Sequence, residues 1–162
     1  MKTLVIYDSV FGNTEKIAQS VAAALQTIAT PVSQVTAEQV REQDVLVVGS
    51  PTRGFRPTEG ISKFIEALPK NHLANVRVAA FDTRIVLDTI NSKALRFLVD
   101  KGGYAANTIA KMLQKKGGKL FFTPEGFFVT GEQGPLKDGE LERAAEWARN
   151  FYVGNNLEAS LR

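Results

Sequence analysis

Three side chains that can donate or accept hydrogen bonds lie close together near the start of the chain, in the segment Ser9-Val10-Phe11-Gly12-Asn13-Thr14. A mostly apolar run typical of a buried strand precedes this segment, and apolar residues at helical spacing follow it. The segment is therefore predicted to form a turn at a helix N-terminus, where free N–H groups and the helix dipole converge. Such turns bind anions, most often phosphate. In the alternative interpretation, these polar residues only cap the helix.

Two later segments place small and polar residues after predicted strands. The apolar strand 44–49 is followed by a loop whose candidate site residues are Pro51, Thr52, Arg53, Gly54 and Phe55. The strand 76–81 is followed by Asp82, Thr83 and Arg84. Glycine lets the backbone approach a ligand closely, and the aromatic face of Phe55 could stack on a planar ring. Together with the first segment, these residues predict a site for a phosphorylated compound with a flat heterocycle.

The elements that must position these loops alternate between strand and helix. The clearest strands are apolar throughout, which is typical of a parallel sheet covered on both faces. We predict an α/β fold in three layers, with a doubly wound, five-stranded parallel sheet in the strand order 2-1-3-4-5. In such sheets ligands bind beyond the carboxyl ends of the strands, where the strand order reverses, so this order brings the three loops together.

Some elements are predicted less directly. The first helix is expected to end near residues 27–30, where Pro31 stops it, and the alternation in residues 32–36 predicts the second strand. Residues 119–122 form the last strand, and 127–129 either extend it or pair beside it. In the segment 85–103, Ser92 could cap a short helix.

The composition narrows the possible functions. The 162 residues are 44% apolar and 23% charged, which is typical of one globular domain; we predict a single domain over residues 1–153 and a C-terminal tail over 154–162. The chain has no cysteine, so disulfides and thiolate chemistry are excluded. The only histidine, His72, lies in a predicted connection, so a histidine metal site or catalytic triad is not expected.

Charge and hydropathy bear on location and partners. The chain shows no signal-peptide pattern and no apolar run that could span a bilayer, so a cytoplasmic protein is expected. The net charge of +3 suggests an acidic ligand or partner. The basic residues are scattered rather than interleaved with aromatics, which argues against nucleic-acid binding.

These motifs resemble one known family. The segment Ser9 to Thr14 resembles the phosphate-binding loop of flavodoxins, and Gly49-Ser50-Pro51-Thr52 resembles their second loop. Asp82-Thr83-Arg84 and the C-terminal Gly134-Pro135-Leu136 are similar to one branch of that family. The resemblance covers nearly the whole chain and implies a flavodoxin-like fold, non-covalently bound FMN, and the transfer of low-potential electrons between redox partner proteins.

The resemblance also implies a role for each matching residue. Ser9, Gly12, Asn13 and Thr14 would hold the phosphate. The residues Thr52 to Phe55 would lie against the isoalloxazine ring, with Gly54 as the residue whose peptide turns over on reduction. Asp82, Thr83 and Arg84 would contact the other side of the ring and its polar edge. The implied mechanism involves no catalytic side chain.

The sequence departs from the family pattern in three ways. Phe11 replaces a threonine common in flavodoxins, which removes one hydroxyl from the phosphate loop. The loops that contact the ring contain neither Trp nor Tyr, so the aromatic contact would come from Phe55 or from Tyr104. Flavodoxins are typically acidic, whereas this chain carries Arg53, Arg56 and Arg84 near the site. These charges would stabilise an anionic reduced flavin, so we predict a less negative final reduction potential.

Two other classes of function stay open. The first is an FMN-dependent oxidoreductase of the quinone reductase or oxidase type, which the long segment 85–103 favours. The second is a non-redox module, such as a receiver-like domain. Receivers need a carboxylate where this chain has Ser50 and an acidic pair where it has only Asp8. The sequence favours an electron carrier over a stand-alone enzyme.

Overall fold

The structure is a computed structural model that describes residues 1–85, Lys93 and 103–160. Its strands are β1 (Thr3–Tyr7), β2 (Ala29–Pro31), β3 (Val45–Pro51), β4 (Arg77–Ile85), β5 (Lys119–Leu120) and β6 (Glu125–Val129). Its helices are α1 (Asn13–Ala24), α2 (Ala37–Arg41), α3 (Glu59–Ala67), α4 (Ala105–Lys115) and α5 (Glu140–Ser160). A single 3-10 turn covers Val32–Gln34.

All strand pairs in the sheet are parallel, in the order β2-β1-β3-β4-β5. This order confirms the predicted topology. The fifth position contains two short strands rather than one, because β5 pairs with the first residues of β4 and β6 pairs with its last residues. The strand pairing aligns Tyr7 with Gly49 and Gly49 with Phe81, so β1, β3 and β4 end at the same edge of the sheet.

Hydrophobic clusters cover both faces of the sheet, which confirms the three-layer architecture. On one face, α1 and α5 pack against the sheet through buried residues such as Ile17, Val21 and Phe151. On the other face, α3 and α4 contribute Ile61, Ile65, Ile109 and Leu113. Aromatic rings form part of the first cluster through edge-to-face contacts among Phe81, Phe127, Trp147 and Phe151, with ring centroids 4.8–6.1 Å apart.

The second strand lies earlier in the chain than predicted. Residues 29–31 form β2, whereas 32–34 form the 3-10 turn, so the prediction of a strand over 32–36 is wrong. Helix α1 already ends at Ala24, and the N–H of Thr27 donates to the carbonyl of Ala22 at 2.9 Å to close it. Pro31 ends the edge strand instead of stopping the helix, because an edge strand tolerates a residue without an N–H group.

Two further predictions concern residues outside or at the ends of the described ranges. The helix expected after Ser92 lies outside the described residues. Helix α5 continues to Ser160, so the backbone of the expected tail is helical through that residue, and the division of the chain at residue 153 stays a prediction. None of the helices in the described ranges is long and apolar enough to cross a membrane.

Candidate functional site

The loop between β1 and α1 is closed by the hydroxyl of Ser9. Its Oγ accepts hydrogen bonds from the N–H of Gly12 at 3.1 Å and from the N–H of Glu15 at 3.4 Å. Gly12 has φ +91°, a backbone conformation that glycine adopts without strain, and it precedes the helix without a side-chain cap. Ser9 therefore serves partly as a cap, as the alternative interpretation expects, while its hydroxyl proton stays available to a ligand.

Four backbone donors in this loop have no acceptor. Within the part of the chain that the structure describes, the N–H groups of Val10, Phe11, Asn13 and Thr14 donate to no protein atom. The side chains behind them are fixed, because the hydroxyls of Thr14 and Thr83 lie 2.8 Å apart and both residues are buried. Convergent unpaired N–H groups at a helix N-terminus fit an anionic group such as a phosphate.

The loop after β3 is a tight two-residue turn. The backbones of Arg53 and Arg56 exchange hydrogen bonds of 2.9 and 3.0 Å, and the two residues between them, Gly54 and Phe55, have φ +54° and +65°. Positive φ at both central residues is typical of a type I′ hairpin turn. Thr58 fixes the far side of the loop, since its hydroxyl donates to the Asp8 carboxylate at 2.6 Å. The turn therefore occupies a fixed position beside the end of β1.

At the end of β4, a buried ion pair joins Asp82 to Arg84. The fully buried Asp82 carboxylate accepts two hydrogen bonds from the Arg84 guanidinium, at 2.7 and 2.8 Å, and one from the N–H of Ala106 at 2.9 Å. Burial raises the pKa of this carboxyl, while the bonds from Arg84 and Ala106 act in the opposite direction. Since Thr52 Oγ1 accepts from the N–H of Ala105 at 3.0 Å, β3 and β4 together hold the first turn of α4.

The three loops surround a cavity of about 340 Å³, a size within the ordinary range for ligand pockets. Nine of the predicted site residues line it, namely Phe11, Asn13, Thr14, Pro51, Thr52, Arg53, Gly54, Thr83 and Arg84. Five do not, namely Ser9, Val10, Gly12, Phe55 and Asp82. Three lining residues are absent from the prediction, namely Ile85, Val129 and Glu132.

The side chain of Asp82 does not line the cavity. The sequence predicts that residues 82–84 contact the ligand, and the Asp82 carboxylate is fully buried and bonded to Arg84 and to the N-terminus of α4, so such a contact would use the backbone of Asp82. The physical reason is the alternation along β4: Thr83 points toward α1, whereas Asp82 and Arg84 point toward α4. Arg84 lies across Gly126, where any side chain would overlap its guanidinium.

The two aromatic residues that the sequence offers for contact with a ring do not line the cavity. Phe55 is absent from the lining, and the ring of Tyr104 stacks on Arg84, with 3.5 Å between the guanidinium carbon and the ring centroid. Among the described residues, the aromatic side chain in the lining is Phe11, which is 43% exposed. The residue that removes a hydroxyl from the phosphate loop thus supplies an aromatic surface instead.

The charge distribution around the cavity follows from these contacts. Arg84 lines the cavity, but its charge is compensated by Asp82. Arg53 is exposed and lies over the ring of Phe11, with 5.5 Å from guanidinium carbon to ring centroid. Over the described ranges, neither Arg53 nor Arg56 forms an ion pair. The uncompensated positive charge therefore comes from the turn after β3, and Glu132 is the acidic residue in the lining.

The C-terminal part of the chain completes the site. The side-chain amide of Asn13 donates to the carbonyl of Gln133 at 3.1 Å, and Gly134 leaves no room for a side chain against that amide. Val129 reaches the cavity because it pairs with Ile85 at the end of β4. The sequence signal for this contact is the apolar run 127–129, whose pairing partner could not be chosen from the sequence. In the described residues, no group of acidic or histidine side chains could hold a metal ion.

The structure is that of an α/β protein with a cavity at the carboxyl ends of β1, β3 and β4. A family described as "Flavodoxin domain" matches residues 4–126, which is most of the chain. The chain therefore belongs to the flavodoxin family. No sequence relative is found among curated proteins.

Solved structures show the same fold at low sequence identity. A flavodoxin from the domain Archaea is 16% identical, with a TM-score of 0.69 over 98% of this chain and 99% of that one. Flavodoxin 1 from Bacillus cereus is 16% identical, with a TM-score of 0.71 over 94% and 98% of the two chains. A WrbA-like flavodoxin from Agrobacterium tumefaciens is 19% identical, with a TM-score of 0.71 over 95% and 97%.

Proposed function

We propose that this protein binds FMN without a covalent bond and transfers electrons between redox proteins. The observation that carries the proposal is the set of unpaired N–H groups of Phe11, Asn13 and Thr14, three residues that line the cavity formed by the three loops. A phosphate would bind at the N-terminus of α1, and a flat ring would lie against the second and third loops, so the ligand would contact all three loops of the cavity. The family to which the chain belongs typically binds FMN, which supports the same ligand.

Different residues would hold different parts of such a cofactor. The N–H groups of the first loop and the hydroxyl of Ser9 would bind the phosphate, while the buried Thr14–Thr83 hydroxyl pair fixes the start of α1. Gly54 has free space beyond its Cα, so the backbone of the second loop can lie close to a ring. Phe11 offers an apolar face. FMN itself would supply the electron-accepting chemistry.

The cavity contains little that could perform acid–base catalysis. Among the described residues, its lining has one acidic residue, the exposed Glu132, and no histidine. Asp82 is bonded to Arg84 and Ala106 and is not part of the lining. These described side chains would bind and position the cofactor, which itself carries the electrons.

A visible absorption spectrum with added FMN, followed by stepwise anaerobic reduction, tests this proposal. We expect tight binding and reduction in two separate one-electron steps. Binding followed by direct two-electron reduction with NAD(P)H, and turnover of a quinone by the protein alone, would replace the carrier with an oxidoreductase. Failure of the folded protein to bind FMN would refute both and leave a non-redox module.

A further inference from the structure

We propose that the mouth of the cavity is a docking surface for an acidic redox protein. The surface consists of Val10, Phe11, Arg53 and Arg56, and we call it the arginine rim. The inference rests on the proposed function, because a protein that exchanges electrons with the bound cofactor must approach the cavity. It adds the position of the contact and the charge of the partner.

The centre of the arginine rim is apolar. Val10 is 49% exposed and Phe11 is 43% exposed, and both lie in the loop that leaves β1. Large apolar side chains exposed beside a ligand site are typical of interaction surfaces, where a partner covers them. Phe11 also lines the cavity, so a partner that covers its ring would lie next to the ligand.

The flanks of the arginine rim carry positive charge that no neighbour compensates. In the parts of the chain that are described, Arg53 and Arg56 form no ion pair, whereas two other exposed cations do: Arg41 binds Glu38 at 2.7 Å and Lys63 binds Glu59 at 2.6 Å. The backbone bonds between Arg53 and Arg56 hold both arginines at the base of one tight turn.

Among the described residues, no nearby carboxylate is bonded to either arginine, so both guanidinium groups stay available to a partner. Asp8 accepts hydrogen bonds from the N–H of Ser9 and the hydroxyl of Thr58, and Glu15 accepts one from the hydroxyl of Tyr7. Glu132 lines the cavity as an exposed carboxylate and is bonded to neither arginine. Arginine pairs with carboxylates through two parallel hydrogen bonds, so two free guanidinium groups beside an apolar centre fit an acidic protein surface.

An anionic membrane would also attract arginine, but the arginine rim is poorly suited to it. Membrane attraction is worth about 1 kcal/mol for each basic residue near the surface, and membrane-binding segments carry roughly four to eight of them. The rim offers two arginines on a chain whose net charge is +3. A protein partner needs fewer charges, because complementary pairs mainly guide the encounter and set its orientation.

The test measures the binding of an acidic plant-type [2Fe–2S] ferredoxin, labelled with a fluorophore, to the full chain with and without added FMN. We expect binding that weakens when salt rises from about 50 to 500 mM, since screening shortens the range of charge interactions. The double variant Arg53→Gln/Arg56→Gln should bind at least tenfold more weakly. The variant Phe11→Ser should bind about threefold more weakly and keep the same salt dependence.

The matched control removes the same charge from the opposite end of the sheet. Lys70 and Lys115 lie near the C-terminal ends of α3 and α4, far from the cavity mouth, so Lys70→Gln/Lys115→Gln should change the affinity less than twofold. Equal losses in the two double variants would show that only net charge matters, and would overturn the proposal. The absence of ferredoxin binding to the wild type would also overturn it.

Two further arms separate this proposal from its alternatives. Basic cytochrome c should bind more weakly than the ferredoxin, and the reverse order would contradict an acidic partner. Vesicles of phosphatidylglycerol that bind the wild type but not Arg53→Gln/Arg56→Gln would assign the surface to a membrane instead. Ferredoxin binding is also measured without FMN, so the two proposals can fail separately. Failure to bind FMN would refute the proposed function, whereas the ferredoxin measurements alone test the arginine rim.

Discussion

Replacing Asp82 by asparagine should destabilise the protein strongly. The substitution keeps the size of the side chain but removes the charge that compensates Arg84. The Asp82 carboxylate is fully buried and accepts three hydrogen bonds, two from Arg84 at 2.7 and 2.8 Å and one from the N–H of Ala106 at 2.9 Å. Asparagine offers one oxygen and places an N–H₂ group where a second acceptor is needed, so at least one donor loses its partner.

The size of the loss follows from the burial of the pair. Breaking a fully buried ion pair by removing one partner costs about 3–5 kcal/mol. The Arg84 side chain is 17% exposed and can regain part of its hydration, so we place the loss at the lower end, at about 3 kcal/mol. With a urea dependence of about 2 kcal/mol per molar, the midpoint of unfolding should fall by about 1.5 M.

Equilibrium urea unfolding at neutral pH measures this loss, and the chain offers a matched control. Glu38 also binds an arginine at 2.7 Å, but both side chains of that pair are more than half exposed. Glu38→Gln makes the same chemical change and should cost less than about 0.5 kcal/mol. In a double-mutant cycle, Asp82→Asn with Arg84→Gln should cost less than the sum of the single variants, by about 1–2 kcal/mol.

A small effect would refute this reasoning. If Asp82→Asn costs less than about 1 kcal/mol, or no more than Glu38→Gln, the buried carboxylate does not hold the N-terminus of α4. Additive single variants would show that Asp82 and Arg84 do not act as a pair.

Three other predictions follow from the same structure. Gly49→Ala should destabilise the protein by about 3 kcal/mol in urea unfolding, because a Cβ there would overlap the buried ring of Phe81. As a control, Gly131→Ala should change stability by less than about 0.5 kcal/mol, because the nearest atom to its Cβ would be 3.7 Å away. Equal effects of the two variants would contradict the packing of Phe81 against Gly49. Burial acts to raise the pKa of Glu140, but Arg143 and the N–H of Phe128 hold that pKa below its ordinary value. The Glu140 carboxylate therefore stabilises the fold above the unfolded glutamate pKa of about 4.3 and loses that effect as the pH falls through the lower pKa of the folded state. In thermal unfolding, the difference between wild type and Glu140→Gln should therefore be largest near neutral pH and shrink in acid, and a constant difference would count against it. Arg53→Gln should lower the final reduction potential of the FMN-loaded protein by roughly 10–40 mV in a spectroscopic redox titration, since it removes one exposed positive charge that no ion pair compensates. Lys70→Gln should leave the potential unchanged, and a rise in the potential of Arg53→Gln would contradict this reasoning.

The sheet could be predicted because its central strands carry their own signal. Strands β3 and β4 are buried on both faces, so they appear in the sequence as apolar runs, which are typical of a covered parallel sheet. The short edge strand β2 carries no such signal. It has three half-buried residues and ends in Pro31, while the alternation that predicts a strand over 32–36 belongs to a turn with one buried residue, Val32.

The site was predictable as far as it depends on short loops. The first loop follows a strand and begins a helix, so its geometry is local, and the resemblance to flavodoxins covers the same residues. The ion pair of Asp82 with Arg84 depends on where α4 begins, and the sequence does not place that helix against β4. Tyr104, just before α4, stacks on Arg84 for the same reason and does not line the cavity. Among the described residues, Phe11 is therefore the aromatic residue in the lining.

The most direct test of the account compares FMN with riboflavin, which has the same ring but no phosphate. Quenching of flavin fluorescence by the purified protein gives both affinities, and the variant Thr14→Val removes the hydroxyl that bonds to Thr83 behind the phosphate loop. We expect the wild type to bind FMN at least tenfold more tightly than riboflavin. Thr14→Val should weaken FMN binding more than riboflavin binding. Equal affinity for both flavins, or no binding of FMN by the folded protein, would contradict the assignment of the first loop as a phosphate site.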